Sequence, residues 1–177
     1  MGGWGSGRFR SRRTTVEECK CFALRDLGDA LTRGPGTKGV LSWKVGDRDK
    51  GSIGFEVVEA GPYGLGVRLV YGFTSGRYEG EQVDQVVKLT QTRLFRGGVH
   101  WWFTCGAYKR GVYCGRRCAK LYLPPGGKVF ACRLCYDLTY RSSQEAHKYD
   151  SLYRHLAAEM GMSFDLVRRV LDRKLYA

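Results

Sequence analysis

Cysteine is the residue type with the clearest chemistry in this chain. There are seven: Cys19, Cys21, Cys105, Cys114, Cys118, Cys132 and Cys135. The number is odd, and arginines stand where an export signal would have an apolar leader, so a disulfide framework is a poor reading. Metal binding in a reducing cytoplasm fits better. Cys132-Arg-Leu-Cys135 is a C-x2-C knuckle, a spacing at which two thiolates reach one ion while the amides of the turn point at the sulfurs. Thiolates favour Zn2+, which takes four ligands in a tetrahedron. The other two must come from Cys105, Cys114 and Cys118. Pairing Cys105 with Cys114 needs a looped-out hairpin through GAYKRGVY, whereas Cys114-x3-Cys118 has a familiar knuckle spacing. Cys118 sits in CAKLYL, which reads as a strand whose alternation turns Cys118 away from the metal of Cys114. Cys105, Cys114, Cys132 and Cys135 are the expected ligands. The Cys114/Cys118 pairing stays open as the second solution, and unliganded core thiols as the bland one. Four thiolates leave no open coordination position, so such a zinc is structural and contributes folding energy instead of catalysis.

The second chemical signal is positive charge. The chain of 177 residues carries a net +13, unevenly spread. Residues 1–13 hold Arg8, Arg10, Arg12 and Arg13 and no acid, among the glycines of MGGWGSGRFRSRR. Residues 14–104 are nearly balanced at +1, residues 105–148 carry +7, and residues 149–177 return to +1. The cations of the cysteine segment include Lys109, Arg110, Arg116, Arg117, Lys120, Lys128 and Arg133. Four thiolates outweigh the charge of a dication, so some of these cations offset an anionic centre. Their number exceeds that need, which points to a phosphate-facing surface or an acidic partner.

Catalytic chemistry is not indicated. His100, His147 and His155 are isolated in sequence, and no nucleophile elbow, phosphate loop or H-E-x-x-H motif is present. Asp47, Asp49, Glu56 and Glu59 read as solvated charge at turns and strand ends. The expectation is a protein that is not an enzyme and takes no small-molecule substrate. Cys19 and Cys21 are expected on a helix, where they diverge and cannot share one metal.

The expected class is α+β. Residues 1–13 form a flexible basic arm, and residues 14–104 a helix followed by an antiparallel sheet or small barrel. Residues 105–145 form the four-cysteine zinc ribbon, and 146–177 a helical hairpin. Thr15 with Glu18 is a capping box, and Val16, Cys19, Ala23, Leu27 and Ala30 recur at helical spacing, predicting a helix over 15–33 that ends at Gly34-Pro35-Gly36. Five short runs follow: GVLSWKVG, GSIGFEVVEA, YGLGVRLVYGFT, EQVDQVVKLTQTRL and VHWWFT. Their short connections predict five antiparallel strands in meander order. LPPGGKVFAC reads as a hairpin leading into the knuckle. At the C-terminus, Ala157, Gly161, Val167 and Val170 have the spacing of a helix-turn-helix, whose second helix offers Arg168, Arg169 and Arg173 to a groove. That pattern also arises in a plain packing hairpin, the favoured reading given the near-neutral charge there. No apolar run is long enough to span a membrane.

MGGWGSGR at the start, TVEEC, and the run CGRR, AKLYLPPGG, CR, CYDLTY and SQ together resemble a family of uncharacterised bacterial and phage zinc-ribbon proteins. The likeness covers the arm, the first expected helix and residues 99–145. It implies carriage by a phage or mobile element, and Cys105, Cys114, Cys132 and Cys135 as ligands. Relatives usually have an apolar residue at the position of Cys118. The family carries no established activity.

The residues thus predict a cytoplasmic protein of a bacterial host that binds DNA or RNA through its arm and ribbon, as a regulatory or accessory factor of a phage or mobile element. The rival expectation is an adaptor or inhibitor that docks on a host nucleic-acid-handling complex, such as RNA polymerase or a defence system.

Overall fold

The computed structural model describes residues 13–45, 48–61, 64–145 and 149–175. The chain divides into two compact units, Met1–Leu138 and Thr139–Ala177. Expected contacts through Arg8, Arg10 and Arg12 lie outside the described residues.

The first unit departs at once from the expected helix over 15–33. Thr15 precedes a single 3-10 turn, Val16–Glu18, in which Glu18 Oε2 accepts a hydrogen bond from the Thr15 amide at 2.9 Å. The chain then extends into β1 (Lys20–Ala23), makes a second turn at Leu24–Leu27, and closes with the one-turn helix α1 (Ala30–Arg33). The Glu18 half of the expected capping box therefore forms, but the helix it announces is not propagated. Phe22 explains why. It is fully buried, with its ring 5.4 Å from Phe103, 6.0 Å from Phe55 and 6.3 Å from Phe130. β1 also pairs antiparallel with β10 (Lys120–Leu123), which gives the backbone groups of a buried strand their partners. Tertiary pairing overrides a modest local propensity.

The five expected strands form as a meander: β2 (Lys38–Val45), β3 (Arg48–Glu59), β4 (Leu65–Gly72), β5 (Gln82–Arg93) and β6 (Val99–Thr104). The curled antiparallel sheet gains a sixth strand, β9 (Arg117–Cys118), giving the order β2-β3-β4-β5-β6-β9. Strand alternation puts Ile53, Phe55 and Val57, then Val67, Leu69 and Tyr71, then Val87 and Leu89, and finally Phe103 on one buried face. Phe22, Leu121, Leu123 and Phe130 close over that face. Burying each such aliphatic or aromatic side chain stabilises the fold by about 1.5–3 kcal/mol.

After β9 the chain steps through Ala119 from the sheet's edge onto its inner face, where Leu121, Tyr122 and Leu123 are all buried. Pro124-Pro125-Gly126-Gly127 then reverses it. Gly126 takes φ 75° behind Pro125, and the Gly127 amide bonds Pro124 O at 2.9 Å, the signature of a type II turn. The returning segment is held from both sides. Tyr122 and Ala131 exchange two backbone bonds of 2.8 and 3.1 Å. On the sheet's inner face, Gln85 donates to Phe130 O and accepts from Phe130 N, both at 2.8 Å. Tyr71 donates to Lys128 O at 2.9 Å. The sheet thereby fixes the strand that delivers Cys132.

The second unit holds α2 (Arg141–Glu145), α3 (Asp150–Met160) and α4 (Phe164–Leu175). Gly161 ends α3 in the left-handed region at φ 62°, its amide bonding Ala157 O, as its position in the sequence predicts. Tyr153, Ala157 and Val167 form the buried seam between α3 and α4, with Leu156, Phe164 and Leu171 packed against it. Val170, counted among the turn-defining apolar residues, is instead 46% exposed, and Leu171 takes the packed position. Arg169 is exposed and Arg168 half-buried. No helix among the described residues is long and apolar enough to cross a membrane.

Candidate metal centre and basic face

Three separate pieces of chain bring the four cysteines together. Cys105 follows the end of β6. A short hairpin, β7 (Tyr108–Lys109) and β8 (Val112–Tyr113), then returns the chain to Cys114. Its two-residue turn, Arg110-Gly111, has both residues at positive φ, 53° and 80°, the mirror-image turn that suits the twist of a hairpin. Below it the Cys114 amide bonds Ala107 O at 2.9 Å, the Gly115 amide bonds Cys105 O at 3.1 Å, and the Cys105 amide bonds Arg116 O at 2.9 Å. The Pro-Gly hairpin delivers Cys132, and a tight turn with a 3.1 Å bond from the Cys135 amide to Cys132 O presents Cys135.

Among the described residues, one group of metal-ligating side chains converges: Cys105, Cys114, Cys132 and Cys135, their sulfurs all within 4.8 Å of one another. The Sγ···Sγ separations are 3.8 Å for Cys105–Cys135, 3.8 Å for Cys114–Cys132 and 3.7 Å for Cys132–Cys135. Sulfurs about 2.3 Å from a central ion in a tetrahedron stand about 3.8 Å apart, so the group has the right size to hold a metal ion. The Cys132 amide points at Cys105 Sγ at 3.3 Å, as expected for a sulfur that carries negative charge. The four sulfurs sit in unequal environments. Burial raises Cys105, partly offset by the Cys132 and Ala107 amides. Burial and its sulfur neighbours raise Cys135. Burial raises Cys114 too, but the Arg116 amide and hydrogen bonds from the other three thiols outweigh it and bring Cys114 down to about 7.

Cys118 stays outside the group. It pairs in register with Phe103, its Sγ lies 3.7 Å from Phe103 O, and burial with the nearby sulfurs pushes it up to about 12. Cys19 and Cys21 also stand apart; Cys19 Sγ bonds Thr15 O at 3.2 Å, and Cys21 lends its carbonyl to Trp43 Nε1 at 2.9 Å.

The expected basic residues gather unevenly. Lys109, Arg110 and Arg116 line an open groove of about 530 Å3 beside Cys114 and Cys135, together with Val112, Tyr113 and Leu134. Lys109 Nζ caps the knuckle by donating to Leu134 O at 2.9 Å. Tyr108 and Tyr113 are 70% and 51% exposed, with ring centroids 5.5 Å apart. Arg133 reaches Leu138 O at 3.5 Å. Lys120 is exposed on β10, and Arg117 lies on the sheet side. Lys128 is engaged by Glu81. Arg13, the first described residue, is 3.4 Å from Asp137, two residues past the knuckle.

Part of the basic face escapes a division of charge at residue 105. Residues 85–136 contain no Asp or Glu and ten Lys or Arg, so the acid-free run begins midway along β5. It adds Lys88, Arg93 and Arg96 to the cations of the cysteine segment, and it contains the exposed His100 and half-exposed Trp102. Counting acids alone, without averaging net charge over the balanced stretch before it, reveals this run.

Comparison with protein-family models, curated proteins and solved structures finds no match to this chain.

Proposed function

We propose that this is a nucleic-acid-binding protein built on a structural zinc ribbon with four cysteine ligands, contacting phosphates through the ribbon and the N-terminal arm. The observation that carries the reading is the groove beside the cysteine group. Lys109, Arg110 and Arg116 line it with no carboxylate among the described lining residues, next to exposed Tyr108 and Tyr113. Cations with solvent-facing aromatics fit a backbone of phosphates with bases beside it. Zinc suits the all-sulfur donor set and the sulfur spacing. When bound, it supplies no reaction but fixes the hairpin and knuckle that carry the cations. The resemblance of the arm and ribbon motifs supports a regulatory or accessory role for a phage or mobile element.

Docking on a protein complex is the second reading, favoured by Val112 and Leu134, which are 69% and 40% exposed in the same groove. Charge reversal separates the two. Arg110→Glu with Arg116→Glu is expected to weaken binding of a labelled 20-mer of DNA or RNA and to shrink its salt dependence, with zinc content and melting temperature unchanged. Unchanged binding in that variant would remove the ribbon from the nucleic-acid interface and favour the protein-docking reading.

A further inference from the structure

The outer face of the sheet carries a second constructed surface. Leu89 and Phe103 pair in register and point into the core, so Thr92, His100 and Trp102 face outward. These side chains are locked together. Thr92 Oγ1 accepts from Trp102 Nε1 at 3.1 Å and from Arg117 Nη1 at 3.3 Å, joining β5, β6 and β9 at one hydroxyl. The His100 and Trp102 rings lie 4.4 Å apart, tilted by 58°. His100 and Arg117 are exposed and Trp102 half-exposed. Beyond them the β5–β6 turn projects Phe95, fully exposed, next to Arg96. A tryptophan whose indole N–H is tied down and flanked by a fixed guanidinium has a set orientation before any ligand arrives. The surface lies within the acid-free run of residues 85–136.

We propose that this face binds single-stranded nucleic acid, with a base stacked on the Trp102–His100 pair and an adjacent phosphate on Arg117. The proposal rests on the nucleic-acid reading above and specifies its ligand. Charge complementarity selects a polyanion. The aromatic pair selects single strands, because in a duplex each base's faces are already covered by its stacked neighbours. The ribbon then contributes phosphate affinity, and the sheet face contributes the preference for unpaired bases.

The test uses the zinc-loaded full chain and fluorescence anisotropy of labelled 20-mers: single-stranded DNA, single-stranded RNA and the matching duplex. Stacking of a base on an aromatic side chain makes Trp102→Ala about ten-fold or more weaker for single strands. The slope of log K against log salt stays as in wild type, because no charge is removed. Duplex affinity also stays unchanged. His100→Ala, at an exposed position, gives a smaller loss of the same kind and carries the test if Trp102→Ala fails to fold. The DNA and RNA arms identify which single strand is preferred. The proposal is overturned if wild type binds single strands and both variants match it, or if wild type prefers the duplex. If wild type binds none of the three, the nucleic-acid reading itself fails, a result distinct from either of these.

Discussion

At the scale of single residues, the cysteines make the sharpest distinction. Cys114→Ser or Cys132→Ser is expected to abolish stoichiometric zinc, whereas Cys118→Ser keeps about one equivalent, measured as metal per chain by elemental analysis. Equal loss in all three would contradict the ligand set. Acidification acts in the same direction as ligand removal. Zinc requires thiolates, so falling pH protonates them and releases the metal, and a chromogenic chelator should report release on going down in pH and retention above neutrality. Gln85 is a quieter case. Its carboxamide satisfies both backbone groups of Phe130 on an otherwise apolar face. Gln85→Leu leaves a buried N–H and C=O unpaired and is expected to lower stability by about 1–3 kcal/mol, read from the denaturant midpoint. Nothing in the alternation of β5 announces this role, because the partner strand is 45 residues away.

At the scale of elements, legibility follows the distance over which a segment finds its partner. The meander of β2–β6 was readable because each strand pairs with its neighbour through a short turn. The Pro-Gly hairpin was readable from its turn residues. The stretch 15–33 was not. Val16, Cys19, Ala23, Leu27 and Ala30 do recur at helical spacing, but Phe22 falls off that stripe, and β1 pairs with residues about a hundred positions further on. Phe22→Ala is expected to cost about 3–5 kcal/mol in thermal or denaturant unfolding, since it opens a cavity among three rings. A surface residue of an amphipathic helix would cost far less, so the size of the loss separates the two structures. The group of four was legible: the knuckle singles out Cys132 and Cys135, and the alternation of CAKLYL favours Cys105 with Cys114 over Cys118. The register that holds Cys118 against Phe103 is the physical reason it stays outside the group.

At the scale of the molecule, the cations matter more by arrangement than by number. One acid-free run crosses the end of the sheet and the cysteine segment, so the β5–β6 hairpin and the groove at Lys109 and Arg110 share one sign of charge. Arg13 pairs with Asp137 beside the same segment. A polyanion meeting this unit encounters cations supported by a fixed scaffold, with more in the arm. The central claim is that phosphate contact drives binding. It is tested most directly by the affinity of the full chain for a labelled single-stranded 20-mer across a salt series, beside a chain lacking residues 1–12. The account predicts a linear fall of log K with log salt, each neutralised phosphate contributing about 0.7 to the slope, and a shallower slope without the arm. Absence of binding at low salt, or affinity indifferent to salt, would contradict it.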